Sequence, residues 1–132
     1  ATAELAARRA TAADVTYLEA VLHSMAGAER DFHTYRATDA RFHVGIARAA
    51  NSPLLLQAVT DLQTALTDLL DLIVYHSERV LQHSTEYHWQ ILHAIQEQRP
   101  NAAHRAMLAH IRATESIFYG LVPEADWPSD LK

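Results

Sequence analysis

The residues best suited to chemistry in this sequence are one aspartate and several histidines that helical periodicity places on apolar faces. Residues 38–53 read TDARFHVGIARAANSP. In a helix, Asp39 and His43 lie one turn apart, on the same side as Phe42 and Ile46. A buried aspartate needs a partner, because an uncompensated buried charge costs on the order of several kcal/mol. The position of Asp39 therefore predicts a positive partner inside the fold.

The histidines separate by helical face, and the sequence contains nine of them in 132 residues. On the fifth predicted helix, the apolar residues that follow His88 fall within about 60° of it, whereas His93 lies about 140° away. On the sixth, apolar residues surround His110, whereas His104 lies about 120° away. We therefore expect His88 and His110 to point inward and the other two to lie elsewhere on the surface of their helices.

One divalent cation would satisfy Asp39, His43, His88 and His110 together, since it supplies the charge and accepts the imidazole lone pairs. Taken singly, an inward histidine is more often a hydrogen-bonded core residue; three of them with a carboxylate favour a metal site. These ligands suit Zn²⁺, Ni²⁺, Fe²⁺, Co²⁺ or Mn²⁺ better than Ca²⁺ or Mg²⁺, and zinc is our first choice. A six-coordinate ion would keep two positions open for water or a small carboxylate.

Two further residues are candidate contacts for an effector bound at this ion. Arg36 lies about 60° from Asp39 and one turn earlier. His76 falls about 40° from the apolar stripe of the fourth predicted helix, at its C-terminal end. The alternatives are an exposed or Asp-paired surface arginine and a histidine that interacts favourably with the helix C-terminus. Both alternatives stay open.

Helices must position these side chains, because 49% of the residues are hydrophobic and only three are glycine. The length predicts one domain. The expected fold is all-α, an antiparallel bundle of about six helices around a central metal or ligand cavity. The predicted ranges are 1–9, the end of a helix whose start is missing, and then 12–26, 29–50, 53–76, 79–97 and 100–120.

Capping residues mark several of these boundaries. Thr11 and Asp14 resemble a weak capping box, and Gly27 should end the second helix. Ser52 can cap the fourth helix, where Pro53 suits the first position. The stripe predicted to be buried on the fourth helix consists of Leu55, Val59, Leu62, Leu66, Leu69 and Ile73.

Charge and composition restrict the partners. The formal net charge is −5, so the chain alone is a poor nucleic-acid binder. The absence of cysteine excludes disulfides and thiolate ligands. No signal peptide or membrane-length apolar run is present in this sequence, which predicts a cytoplasmic protein without a membrane partner. The first residue is Ala1, which suggests a processed or truncated piece.

Three blocks of sequence carry a family resemblance: D-A-R-F-H-V-G-I-A-R-A-A-N-S-P, E-Y-H-W-Q-I-L-H-A-I and A-A-H-R-A-M-L-A-H-I. Together they resemble the C-terminal effector-binding (FCD-type) domain of the FadR-like subgroup of GntR bacterial transcription regulators. The resemblance covers about residues 3 to 118. The chain departs from the pattern at Arg99, where a helix-capping Asp is common, and in the lack of basic residues on the fourth helix.

The resemblance implies a ligand-sensing domain that often holds a metal through one Asp and three His, here matching Asp39, His43, His88 and His110. It further implies a homodimer and a small organic acid that docks at or beside the metal. DNA would be bound only through an N-terminal winged helix-turn-helix that this chain lacks. Residues 1–132 would then form an effector-binding and dimerisation domain rather than an enzyme.

Two other functions stay open at this stage. Open metal positions could activate water in a small hydrolase or lyase. However, the sequence has neither an H-E-x-x-H motif nor the Glu-x-x-His pairs of di-iron bundles, and Glu86, the nearest carboxylate, should point to the far side of its helix. Alternatively, the inward polar residues only fix the packing of a structural helical dimerisation module.

Overall fold

Six helices and no strand make up the part of the chain that the computed structural model describes, residues 1–28, 31–73 and 78–121. The helices are α1 (Thr2–Arg9), α2 (Ala12–Ala26), α3 (Phe32–Ala49), α4 (Pro53–Ile73), α5 (Glu78–Gln96) and α6 (Pro100–Leu121). The predicted all-α bundle of about six helices is therefore confirmed, whereas its central cavity stays a prediction. None of the described helices is long and apolar enough to cross a membrane.

Side-chain caps define the starts of three helices. The capping box of α2 is complete, because Thr11 Oγ1 accepts from the Asp14 amide at 3.1 Å and Asp14 Oδ2 accepts from the Thr11 amide at 2.8 Å. Ser52 Oγ accepts from the Leu55 amide at 3.4 Å at the start of α4. Before it, Asn51 takes a left-handed backbone conformation with φ 51° and ends the α3 region.

Helix α3 begins later than position 29, where the sequence pattern placed its start. Asp31 has extended backbone angles and caps the helix instead, accepting hydrogen bonds from the Thr34 amide at 3.3 Å and the Thr34 hydroxyl at 2.6 Å. This side chain competes with helical pairing at its own position and so moves the start to Phe32. The structure describes α4 as far as Ile73, and its predicted continuation to residue 76 lies outside the described residues.

The described residues form one apolar core between α1, α2, α3, α5 and α6. Its largest fully buried apolar side chains are Leu18, Leu22, Met25, Phe42, Ile46, Ile91, Leu92 and Ile95. Helices α2 and α3 approach closely at Gly45, where an added Cβ would lie 2.9 Å from Leu18 Cδ2. This packing fixes the position of α3 against α2, and with it Asp39 and His43 on the same helix.

Helix α4 lies at the edge of this core and packs mainly against α3. Leu55, Val59 and Leu66 are partly buried as predicted, but Leu62 is 55% exposed and Gln63 is buried in its place. The prediction for Leu62 was wrong because the facing position on α3 is a buried arginine that needs a polar acceptor. The side chains of Leu69 and Ile73 lie outside the described part.

Candidate metal centre

Four polar side chains from three helices converge beside the core. One ligand atom from each of Asp39, His43, His88 and His110 lies within 4.8 Å of the others. Asp39 and His43 come from successive turns of α3, His88 from α5 and His110 from α6. His88 is fully buried and His110 nearly so, while the side chains of Asp39 and His43 are 15% and 13% exposed. The cluster therefore lies just below the surface.

The converging atoms are one carboxylate oxygen and the Nε2 atom of each ring. Asp39 Oδ1 lies 3.1 Å from His88 Nε2 and 3.3 Å from His43 Nε2. His110 Nε2 lies 3.2 Å from His88 Nε2 and 3.3 Å from His43 Nε2. A neutral imidazole carries at most one proton on Nε2, so hydrogen bonds alone leave part of these contacts unsatisfied.

These distances fit the ligand shell of a transition metal. Two ligand atoms at about 2.1 Å from an ion are about 3.0 Å apart at a right angle and about 3.4 Å apart at the tetrahedral angle. All four contacts fall within that range. Three imidazoles with one carboxylate also form a ligand set that Zn²⁺ and its neighbours accept. The residues present therefore fit a divalent transition metal.

The electrostatics of the cluster favour a cation. Burial, together with the charges of His88 and His43, lowers the pKa of His110 to about 3, and burial also lowers the pKa of His88. Burial works to raise the pKa of Asp39, but the charge and hydrogen bonds of His43 and the contact with His88 hold that pKa well below its ordinary value. Near pH 7 the site therefore offers an ionised carboxylate at Asp39 and neutral imidazole rings at His88 and His110.

Neighbouring groups orient the rings. His88 Nδ1 lies 3.2 Å from the sulfur of Met25, a weak acceptor that leaves Nε2 to face the cluster. The rings of His43 and His110 are nearly parallel, with centroids 5.3 Å apart. His110 Nδ1 is buried and has no hydrogen-bond partner among the described residues. The orientation of His110 thus depends on packing.

Arg36, predicted as an effector contact, is 4% exposed and pairs with Asp39. Its Nη1 donates to Asp39 Oδ2, and its Nη2 donates to Gln63 Oε1 at 3.1 Å. Arg36 is thus paired with aspartate, as one alternative proposed, but it is buried rather than at the surface. Contact with an effector stays a prediction. His76 lies outside the described residues.

Gln63 is the residue that the sequence reading missed. It is 8% exposed, and among the described residues Arg36 connects it to the cluster. Its burial could have been predicted from its position four residues after Val59, which places it at the edge of the predicted apolar stripe. Helix α3, which faces this stripe, also has an inward arginine. Among the remaining polar candidates, His93, His104 and Glu86 are exposed, as their helical faces indicate.

Comparison with known proteins places this chain in one family. The family model of the FCD domain matches residues 1–113. The chain is 26% identical to the HTH-type transcriptional regulator LutR of Bacillus subtilis (strain 168), over 92% of this chain and 58% of that protein. It is 27% identical to the galactonate operon transcriptional repressor of Escherichia coli (strain K12), over 86% of this chain and 50% of that protein.

Solved structures agree on the architecture. The E. coli protein McbR/YncC superposes with a TM-score of 0.78 at 17% identity, covering 90% of this chain and 57% of that one. Streptococcus agalactiae GntR superposes with a TM-score of 0.74 at 25% identity, covering 86% and 50%. The chain belongs to the FCD domain family, whose relatives here are GntR-type transcription regulators. The chain spans 50 to 58% of the length of these proteins.

Proposed function

We propose that this chain is the effector-sensing domain of a GntR-type transcription regulator and that it detects a small organic acid through a bound divalent transition metal. The observation that carries the proposal is the meeting of three Nε2 atoms and one carboxylate oxygen at 3.1 to 3.3 Å. The metal is held by Asp39, His43, His88 and His110, with zinc as the first choice. When bound, such an ion supplies a concentrated positive charge with coordination positions open to a carboxylate.

The local charges support an anionic effector. Asp39 is the one carboxylate in the cluster, and Arg36 lies beside it. A divalent ion added to this pair leaves a net positive charge close to the surface, which favours an anion. Helix α4 contains neither lysine nor arginine, so within the described part of the chain the ion and Arg36 would supply the positive charge at the α3–α4 side of the cluster.

The name of one relative supports the same class of ligand. The E. coli repressor is named for a galactonate operon, and galactonate is an organic acid. We further propose, from the family resemblance, that the chain forms a homodimer in the cytoplasm and reaches DNA through a winged-helix domain that lies outside residues 1–132. The formal net charge of −5 agrees with this arrangement, because the DNA phosphates would be neutralised by basic residues of another domain.

A thermal-shift screen of small organic acids tests the proposal. Three preparations are compared: metal-loaded wild type, wild type stripped by a chelator, and Asp39→Ala. An acid that binds only the folded, metal-loaded protein should stabilise it by about 2.7 kcal/mol at a hundredfold excess over its dissociation constant. Stripped protein and Asp39→Ala should show little shift. Equal shifts in all three preparations would mean that the acid binds elsewhere.

A further inference from the structure

The two carboxylate oxygens of Asp39 have separate partners. Oδ1 faces the Nε2 atoms of His43 and His88, at 3.3 and 3.1 Å. Oδ2 points the other way and accepts a hydrogen bond from Arg36 Nη1. A charged donor on one oxygen holds the plane of the carboxylate and withdraws that oxygen from other partners. Only Oδ1 is then presented to the other three ligand atoms.

Arg36 is itself held from a different helix. Its Nη2 donates to Gln63 Oε1 at 3.1 Å, and both side chains are buried, at 4% and 8% exposure. Gln63 lies on α4, which packs mainly against α3. The hydrogen bonds from Asp39 to Arg36 and from Arg36 to Gln63 therefore join the cluster to α4, which supplies none of its four ligand residues. Arg36 Nε is buried and has no partner among the described residues. The polar pairing of Arg36 therefore comes from Asp39 and from Gln63, whose backbone carbonyl also accepts from Nη2 at 3.5 Å.

We propose that Arg36 is a positioning residue which keeps Asp39 a one-oxygen metal ligand, and that Gln63 makes the placement of α4 part of that arrangement. This inference rests on the proposed function, because it requires that the cluster binds a metal. A carboxylate that turns to bind an ion through both oxygens fills one more coordination position. By engaging Oδ2, Arg36 keeps that position available to an effector, and the ion is coupled to α4 through buried hydrogen bonds.

The coordination mode is tested by X-ray absorption of the zinc-loaded protein. The variants are Arg36→Met, Gln63→Leu and Gln63→Glu, which keeps an acceptor for Arg36. Arg41→Met and Gln57→Leu are matched controls at exposed positions of α3 and α4. Wild type, Gln63→Glu and both controls should show a one-oxygen carboxylate. Arg36→Met and, to a smaller extent, Gln63→Leu should show the short metal–carbon distance of a carboxylate that binds through both oxygens.

The link to α4 is tested by amide hydrogen exchange. Removal of zinc from wild type should speed amide exchange severalfold in residues 58–66 of α4. Arg41→Met and Gln57→Leu should respond to zinc removal as wild type does. In Arg36→Met and Gln63→Leu, exchange in this segment should be fast and insensitive to zinc. Provided that wild type binds zinc, either of two results would overturn the inference. One is that Asp39 binds zinc through one oxygen in Arg36→Met, and the other is that zinc slows exchange in Gln63→Leu as much as in wild type. Failure of wild type to bind zinc would instead remove the proposed function itself.

Discussion

His88 Nε2 and His110 Nε2 lie 3.2 Å apart, although the two residues belong to different helices. Both side chains are buried, and burial lowers the pKa of each. Two neutral rings that meet in this way can share at most one hydrogen bond, although His43 Nε2 and Asp39 Oδ1 lie equally close. A cation between them and Asp39 gives these groups a common partner.

The first prediction concerns the ligands. Purified wild type should contain about one divalent transition metal per chain, and His88→Ala and His110→Ala should each lower both metal content and melting temperature. The reason is that the ion joins α3, α5 and α6, so that its binding free energy adds to folding. Elemental analysis and thermal melts of protein without a histidine tag measure both quantities.

Exposed histidines provide the controls for this prediction. His93→Ala and His104→Ala remove the same ring from α5 and α6 at exposed positions, and they should change neither quantity by much, since exposed substitutions are usually within about 0.5 kcal/mol. If a chelator removes the metal from wild type and the melting temperature stays the same, the ion has no structural role.

The second prediction concerns the pH dependence of the metal-free protein. The pKa of His110 is about 3 in the folded chain and near 6.5 when unfolded. The unfolded chain therefore binds more protons between these values, and the free energy of unfolding should fall as pH decreases below 6.5. From pH 7.5 to pH 5 the loss attributable to His110 is on the order of 2 kcal/mol.

Urea unfolding of chelator-treated protein at several pH values measures this loss. His110→Gln should show a shallower dependence, whereas His104→Gln, with its exposed ring, should follow wild type. A His110→Gln slope equal to that of wild type would contradict the assignment of the proton to His110.

The third prediction concerns the contact between α2 and α3. Gly45→Ala places a Cβ 2.9 Å from Leu18 Cδ2 and 3.0 Å from Tyr17 Cε1, and Leu18 is fully buried. Gly27→Ala meets nothing closer than 3.7 Å. Because overpacking costs about 1–3 kcal/mol, we expect Gly45→Ala to be less stable than Gly27→Ala by about 1–2 kcal/mol. Urea midpoints of the two variants give the comparison, and equal midpoints would show that α2 and α3 separate at little cost.

The fourth prediction concerns assembly. Residues 1–132 should sediment as a homodimer at micromolar concentration and should not bind duplex DNA selectively, because the chain carries a formal charge of −5. Analytical ultracentrifugation and a gel-shift assay measure the two properties. A monomer at all accessible concentrations would refute the first part, and tight sequence-selective binding would refute the second.

Helical periodicity was sufficient to place most of the cluster. Side-chain direction in a helix repeats every 3.6 residues, so the sequence indicates that His88 and His110 face the core and that His93 and His104 do not. The ends of α2 and the start of α4 follow from local capping, which depends on neighbouring residues alone. The start of α3 did not follow, because several residues before Phe32 are compatible with a helix and the Asp31 cap selects among them.

The sequence by itself determined that this is a helical chain with one aspartate and three histidines on inward faces, since both properties are local. Only the tertiary structure decided which atoms meet. The relative rotation and height of separate helices decide that all three rings turn Nε2 toward the cluster. They also decide that Arg36 joins Asp39 to Gln63. A rotation of α4 by one residue exchanges Leu62 for Gln63 at the contact with α3. The glutamine side chain there gives the buried Nη2 of Arg36 an acceptor, and a buried donor without an acceptor is costly.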